Sequence, residues 1–99
     1  MRENSLQSDC IDYLKSEKIY FINVHGGGWS AKGAPDLITC INGWFVAFEL
    51  KVDENDLESD QRIHRRRILA NGGIHYSPRT LKEFKEIIKE VSKYEPRRV

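Results

Sequence analysis

The chain has 99 residues and a mass of 11.5 kDa, which predicts one domain over residues 1–99, because a second core could not be built from so short a sequence. With 39% hydrophobic and 10% aromatic residues, the composition excludes a disordered chain. The net charge of +1 is unevenly distributed. Residues 1–58 carry five basic and ten acidic side chains, whereas residues 59–99 carry eleven basic and five acidic ones. An acidic half beside a basic half suits a cation site next to an anionic ligand, although solvated helix faces give the same counts.

Cysteine usage and hydropathy place further limits. Cys10 and Cys40 are the only cysteines, too few and too far apart for a disulfide scaffold or a thiolate zinc site, and we expect both to be reduced core residues. No apolar run approaches a membrane span, and the first residues do not resemble a signal peptide. The sequence therefore predicts a cytoplasmic location.

The first half of the chain predicts a helix, a strand and a loop. Apolar residues recur at helical spacing over residues 5–16, which predicts an amphipathic helix. Residues 19–24 form a dense apolar run typical of a buried strand. Three consecutive glycines within residues 25–33 then predict a loop, either for close approach to a ligand or for a change of direction.

The next segment predicts a β-hairpin. Two strand-like runs, residues 36–41 and 44–52, are separated by Asn42-Gly43, and both turn residues tolerate the positive φ of a type I′ turn. A two-residue loop fixes the register, so that six predicted rungs run from Ile41 opposite Trp44 to Asp36 opposite Glu49.

The remaining elements are predicted from caps and breakers. Ser59 is a candidate N-cap for a helix over residues 61–71, which Gly72-Gly73 ends. Residues 74–76 form a short strand, and Thr80 with Glu83 predicts a capping box before a last helix with one apolar face. We expect the tail from about residue 95 to 99 to be frayed. The predicted order is αβββαβα, an α/β fold with a small mixed sheet flanked by helices.

The last predicted rung of the hairpin carries the chemistry. Residues directly opposite on neighbouring strands have Cβ atoms about 4.5–5.5 Å apart, and like charges there are unfavourable. Asp36 and Glu49 would therefore share a proton or bind a cation, and their hard oxygens suit Mg²⁺. Lys51 lies two residues beyond Glu49, on the same face, where it could position water or stabilise charge on a phosphoryl group. This combination predicts metal-dependent phosphodiester hydrolysis, whereas the simpler reading is a turn cap and a solvated strand face.

These residues resemble a known family. Gly33-Ala-Pro-Asp36, a short hairpin and Glu49-Leu-Lys51 resemble the PD-(D/E)xK nuclease motif, and neighbouring residues narrow the resemblance to the VRR-NUC (virus-type replication-repair nuclease) domain. The further marks are Glu3 and Gln7 on the first helix, the Phe45–Lys51 strand, Leu57, Asp60-Gln61 and Gly72-Gly73. The resemblance runs from Glu3 to about Val91. It implies a restriction-endonuclease-like fold, dependence on Mg²⁺ or Mn²⁺, and cleavage of DNA.

The resemblance also assigns roles to residues. Asp36 and Glu49 would be metal ligands, the backbone carbonyl of Leu50 would add a third oxygen, and Lys51 would serve the attacking water. Glu3 matches an acidic residue of the family's first helix that can join the metal site. Gln61 matches the family's helix glutamine, which orients the water or the lysine. An ordinary exposed residue in the first turn of a helix would explain its position equally well.

Candidate DNA-binding residues surround this motif. Arg62, Arg65 and Arg66 can share one side of the predicted helix and contact phosphates. His25, Trp29 and Lys32 lie in or near the glycine-rich loop, and Trp29 could stack on an unpaired base or pack on the core or a dimer contact. A solvated helix face would explain the arginines equally well.

Short stand-alone members of the family, of phage or prophage type, resemble Holliday-junction resolvases and act as homodimers, whereas in larger proteins the domain cleaves flaps. Both faces of the predicted hairpin are apolar, which favours burial by a second subunit. The sequence thus predicts a structure-specific DNA endonuclease acting as a homodimer on branched DNA in a bacterial or phage-infected cell. Two alternatives stay open: a catalytically silent DNA-binding module, and a nuclease subunit that depends on a larger replication or repair assembly.

Overall fold

The computed structural model describes residues 3–25, 31–52 and 56–97, with side chains from Ser5 onward. Three helices and four strands follow the predicted αβββαβα order. In chain order they are α1 (Glu3–Ser16), β1 (Tyr20–Asn23), β2 (Leu37–Ile41), β3 (Trp44–Phe48), α2 (Ser59–Ala70), β4 (Ile74–Tyr76) and α3 (Leu81–Val91). Of these described helices, none is long and apolar enough to cross a membrane.

The four strands form one mixed sheet in the order β1-β2-β3-β4. The first three strands are antiparallel, and β4 is parallel to β3. Asn42 and Gly43 both have positive φ, 57° and 82°, as the predicted type I′ turn requires. The five rungs from Ile41–Trp44 to Leu37–Phe48 have the predicted register.

One face of the sheet forms the core with α1 and α3. The apolar stripe of α3 buries Phe84, Ile88 and Val91, and α1 contributes Leu6, Cys10 and Leu14. These side chains pack on alternate residues of the hairpin, which a two-residue strand period places on one face. The hairpin residues buried there are Leu37, Ile41, Val46 and Phe48.

The opposite face is covered only in part. Helix α2 contacts β4, and Ala47 and His75 are buried on this face, whereas Tyr20, Ile22 and Phe45 are exposed to 68%, 47% and 45%. Cys40 is exposed on the same face, so the prediction that both cysteines are core residues was wrong for Cys40. Strand β2 packs against the apolar core on one face only, and Cys40 lies on the other face.

Two helix starts show how local hydrogen bonds set boundaries. Helix α2 begins two residues earlier than predicted, and Glu58, not Ser59, is its N-cap. Its first turn is closed by the Gln61 side chain, whose Oε1 accepts the Glu58 N–H at 2.8 Å. Thr80 caps α3 as predicted, because its hydroxyl accepts the Glu83 N–H at 3.1 Å.

Residues 95–97 of the C-terminal segment contact the hairpin, and the predicted fraying of the tail stays a prediction. Trp44 Nε1 donates to the Glu95 carbonyl at 3.0 Å, and the Arg97 N–H donates to the Asn42 carbonyl at 2.9 Å. The Arg97 guanidinium stacks over the Trp44 ring at 4.5 Å and also donates to the carbonyl of Gly72. The segment therefore joins the hairpin turn to the turn before β4.

Candidate functional site

Asp36 lies just before β2 and is 6% exposed. One carboxylate oxygen, Oδ2, accepts the Leu50 N–H at 2.8 Å, and the other, Oδ1, is 3.2 Å from Nε2 of His25. The side chain thus reaches the backbone on the far side of the hairpin, immediately after Glu49. This contact joins the two halves of the predicted motif.

Burial and nearby charges act on Asp36 in opposite directions. Removal from water raises the pKa of its carboxyl group, whereas the Leu50 N–H and the positive charges of His25 and Lys51 lower it. Burial is the larger effect, so the net pKa is raised. An added cation would therefore offset the cost of the buried charge.

Glu49 is also buried, with 5% exposure, but the predicted rung that pairs it with Asp36 is not part of the ladder. The Asp36 N–H donates to the carbonyl of Phe48 at 2.9 Å, and the Glu49 N–H donates to Tyr76 on the other side at 2.9 Å. The hairpin ladder ends at Leu37–Phe48 because the Asp36 N–H takes the Phe48 carbonyl as its acceptor, while Glu49 continues beside β4. The two acids are therefore not a directly opposite pair of the ladder.

Lys51 continues the same extended segment. Its N–H donates to the Pro78 carbonyl at 3.2 Å, as the Glu49 N–H does to Tyr76, so the segment extends the parallel pairing beyond the end of β3. Alternation along an extended chain places Glu49 and Lys51 on one side. The positive charge of Lys51 is one of the influences that lower the pKa of Asp36.

Gln61 connects α2 to the site. Its Nε2 donates to Oε1 of Glu49, while its Oε1 accepts the Glu58 N–H. The backbone donor at the helix start fixes which end of the amide faces Glu49, because only the amino end can then donate to the carboxylate. Gln61 thus contacts the Glu49 carboxylate, and its predicted role towards the water or Lys51 stays a prediction.

The segment before Asp36 packs against the start of α2. Gly33 has a φ of +82°, and a Cβ atom there would lie 2.6 Å from the Asp60 backbone carbon, so this close approach requires glycine. Lys32 forms a 3.3 Å ion pair with Asp60, and Nε2 of His64 lies 3.2 Å from the Lys32 carbonyl oxygen. Helix α2 thereby positions both Gln61 and the chain that leads into Asp36.

The remaining candidates lie around this cluster or outside the described residues. Arg62, Arg65 and Arg66 are exposed on α2, and Lys32 is exposed beside it. Gln7 donates to Oδ1 of Asn23 at 2.9 Å, which links α1 to β1. Trp29 and the side chain of Glu3 lie outside the described residues, so their predicted roles stay predictions.

The donors present are compatible with a hard divalent cation. Asp36 and Glu49 supply two buried carboxylates, and Leu50 between Glu49 and Lys51 supplies a backbone carbonyl. Mg²⁺ is commonly bound through one or two carboxylates, with water and phosphate oxygens completing the site. Over residues 3–25, 31–52 and 56–97, no cluster of three or more His, Cys, Asp or Glu residues could hold a metal by itself. The set therefore suits a partly hydrated Mg²⁺ and not a metal enclosed by protein ligands.

The fold defines the class: a mixed four-stranded sheet flanked by three helices is consistent with a restriction-endonuclease-like α/β fold. A solved structure described as a VRR_NUC domain superposes with a TM-score of 0.72 over 93% of this chain and 97% of the other, at 22% sequence identity. The fold predicted from the sequence resemblance is thus confirmed. No family model matches the sequence, and no curated protein matches it.

Sequence reasoning missed two contacts of the site. It expected the Leu50 carbonyl to be important but not the Leu50 N–H, which binds Asp36. It placed His25 near the substrate but not against Asp36. A backbone donor has no signature in the sequence, and the contact of His25 depends on how the segment after β1 returns to the sheet.

Proposed function

We propose that this protein is a metal-dependent DNA endonuclease of the PD-(D/E)xK type that hydrolyses phosphodiester bonds. The observation that carries the proposal is the contact of the buried Asp36 carboxylate with the Leu50 N–H, between Glu49 and Lys51. It joins the acid of one strand to the E-x-K segment of the next. The similarity in fold to a VRR_NUC domain supports the same activity.

The residues of the chain have separate tasks in this proposal. Asp36, Glu49 and the Leu50 carbonyl would hold Mg²⁺ or Mn²⁺, which supplies charge stabilisation at the phosphate and a more acidic water. The Lys51 ammonium orients the attacking water and offsets the negative charge that develops on the phosphoryl oxygens. Gln61 keeps the Glu49 carboxylate in one orientation, as partners of metal ligands generally do.

DNA reaches the site along basic groups. Arg62, Arg65 and Arg66 are exposed on the helix that Gln61 begins, with Lys32 beside its first turn. Such contacts neutralise phosphates without reading sequence, and they weaken as salt displaces them. His25 lies beside Asp36, where it can contact a phosphate next to the scissile one.

Cleavage of labelled junction, flap and duplex DNA, with and without Mg²⁺ or Mn²⁺, tests the proposal. We expect metal-dependent cleavage that is lost in Asp36→Asn and in Lys51→Ala, while Lys51→Ala keeps most of its DNA affinity. Lys82→Ala, at an exposed position of α3, is the matched lysine control and should retain activity. DNA binding without cleavage in any metal would instead identify a catalytically silent DNA-binding module. Activity that appears only with added replication or repair proteins would identify a dependent subunit.

Three finer parts of the proposal need their own measurements. We propose a preference for branched DNA with four-way junctions as the leading substrate, which relative cleavage rates on the three substrates decide.

We also propose a homodimer, because two related active centres suit symmetric cleavage of a junction. Sedimentation at micromolar protein tests it, and a monomer under all conditions would contradict it. The cytoplasmic location stays a prediction that fractionation of the source cells would test.

A further inference from the structure

The sheet face beside the candidate site carries an exposed aromatic row. Strand pairing aligns Tyr20 with Cys40 and Cys40 with Phe45, and directly paired residues point to the same face of a sheet. The next row contains Ile22, Ile38 and Ala47. By the two-residue alternation within β2, this face runs from Cys40 through Ile38 towards the start of the strand, which Asp36 precedes by one residue.

Exposure differs across this face, and it is lowest at the residues of β3 and β4 that α2 covers. Ala47 is fully buried and His75 is 6% exposed, whereas Tyr20 and Phe45 are 68% and 45% exposed. The Cβ that Gly73 lacks would touch both Ile68 of α2 and Phe45, which locates the edge of α2 beside Phe45. The helix therefore covers the β4 side of the face and leaves the aromatic row open.

A groove runs between Phe45 and the second half of α2. We call it the Phe45 groove, and it is lined by Phe45, His64, Arg67, Ile68, Asn71 and Gly73. Phe45 and Ile68 provide apolar surface, while Arg67 and Asn71 provide groups that recognise phosphate and base edges. Arg67 is about 100° around the helix from Arg66, so it serves this groove and not the surface proposed for Arg62, Arg65 and Arg66.

We infer that the Phe45 groove and the aromatic row bind unpaired bases of a DNA strand that leads into the candidate site. A base stacks on the Phe45 ring, Arg67 contacts the phosphate beside it, and Tyr20 offers a second ring across Cys40. Open sheets with exposed aromatic residues bind single strands in this way, because every base has a stacking face. The inference deepens the proposed endonuclease activity and rests on it: bases that open at the branch point, at a four-way junction as at a flap, would supply the unpaired segment next to the cleaved bond.

Charge favours DNA over a second copy of the chain as the occupant. Helix α2 has four arginines and one aspartate, so a two-fold contact through this face would bring two basic helices together. A polyanion is attracted by the same groups. The continuity of the open face with Asp36 also suits a strand that passes through the active centre.

Binding without metal separates this inference from catalysis. Fluorescence anisotropy in EDTA would compare a labelled single strand, a duplex and an abasic oligomer of equal length. We expect Phe45→Leu to weaken binding of the single strand about tenfold or more, as loss of one stacked base predicts, and to leave the other two within twofold. Phe45→Trp, which keeps an aromatic ring, should bind the single strand as tightly as the unaltered protein. Equal weakening on all three DNAs, or no weakening on the single strand, would overturn the inference.

A second measurement needs no variant. Cys40 is exposed between Tyr20 and Phe45, whereas Cys10 is buried and its pKa is raised by burial to about 12. Alkylation should therefore modify Cys40 first. Saturating single-stranded DNA should slow the modification at least fivefold, and a saturating abasic oligomer should not. Equal protection by both oligomers would contradict base stacking.

Sedimentation of the Phe45→Leu variant tests the competing occupant. If the variant loses an oligomer that the unaltered protein forms, while it binds the single strand as before, the face is a contact between copies and the inference is wrong. The endonuclease proposal fails independently, through absence of metal-dependent cleavage. If cleavage occurs but binding of the single strand does not depend on Phe45, the endonuclease proposal stands and the inference about the Phe45 groove is wrong.

Discussion

Gln61 and Glu49 are joined by a hydrogen bond from Nε2 of the amide to Oε1 of the buried carboxylate. The opposite end of the same amide accepts the Glu58 N–H at 2.8 Å. One side chain thus closes the first turn of α2 and holds one acid of the candidate site. The start of the helix and the orientation of Glu49 are therefore coupled.

Replacement of Gln61 by Ala should affect both functions of this residue. Loss of the cap should lower the free energy of unfolding by about 1 kcal/mol. Loss of the partner of Glu49 should raise the Mg²⁺ concentration for half-maximal cleavage about 10- to 100-fold, as observed for partners of metal ligands. Ser59→Ala, one residue after the cap, is the control for a change in the same turn. An unchanged metal requirement in Gln61→Ala would contradict an orienting role.

A second prediction concerns His75, which is buried under α2. Burial and the positive charge of Arg65 lower the pKa of this histidine from 6.5 to about 4, and its Nδ1 has no hydrogen-bond partner among the described residues. The unfolded chain therefore binds more protons than the folded chain between these pH values. The stability that His75 contributes is present above pH 6.5 and is lost as the pH falls towards 4.

Urea unfolding of the protein and of His75→Leu at pH 7 and pH 4 measures this effect. The acid-induced loss of unfolding free energy should be about 2–3 kcal/mol smaller in the variant. The comparison cancels the carboxylates that titrate over the same range. Equal losses in the two proteins would show that folding does not lower the pKa of His75.

Sequence reasoning predicted most of the fold because the relevant signals are local. The Asn42-Gly43 turn fixes five rungs of the hairpin without any tertiary information. The sixth rung failed because the Asp36 N–H donates to the Phe48 carbonyl and not to Glu49, and no local pattern of the sequence encodes that choice. The predicted grouping of Asp36 with the E-x-K segment agrees with the structure, but through the Leu50 N–H in place of side-chain opposition.

The contacts of the tail with the hairpin were not predicted, for a similar reason. Residues 95–97 have the composition of an exposed end, but Trp44 and Asn42 on the hairpin supply their hydrogen bonds. The exposure of Cys40 likewise depends on which part of the sheet α2 covers. Long-range packing determines the contacts of the tail and the exposure of Cys40. Neither feature has a recognisable pattern in the sequence.

Gly33 and Gly72 form a matched pair for a third prediction. Both have positive φ, +82° and +83°, but a Cβ at Gly33 would meet the Asp60 backbone at 2.6 Å, whereas one at Gly72 would meet the end of the Arg97 side chain at 3.0 Å. Gly72→Ala should cost about 1 kcal/mol for the backbone conformation alone. Gly33→Ala should cost more, because the segment must also move away from α2.

This movement should reach the candidate site. The Val24 N–H donates to the Asp36 carbonyl at 3.0 Å, and the Asp36 N–H donates to the Phe48 carbonyl at 2.9 Å. Displacement of the segment before Asp36 should therefore disturb the hydrogen bonds that hold Asp36 on both sides. We expect Gly33→Ala to reduce cleavage well beyond the effect of its lower stability, and Gly72→Ala to cleave normally below its melting temperature. Chemical denaturation and cleavage rates at 20 °C distinguish the two cases. Similar behaviour of the two variants would show that α2 does not position Asp36.

The last prediction concerns Arg97, which joins the hairpin turn to the turn before β4. Its guanidinium stacks on Trp44 and donates to the Gly72 carbonyl. Arg97→Ala removes both contacts but keeps the backbone hydrogen bond to Asn42, so the loss should be about 1 kcal/mol for these exposed groups. For a chain of this size, that loss corresponds to a decrease of about 4–8 °C in melting temperature.

Two variants check the physical origin of the effect. Arg97→Lys keeps the charge but not the planar group that stacks and donates in fixed directions, so it should recover less than half of the loss. Lys93→Ala, an exposed lysine in the same segment, should change the melting temperature by less than about 2 °C. Full recovery with lysine would assign the stabilisation to charge alone. No loss in Arg97→Ala would mean that the backbone contacts of Glu95 and Arg97 suffice to hold the segment on the hairpin.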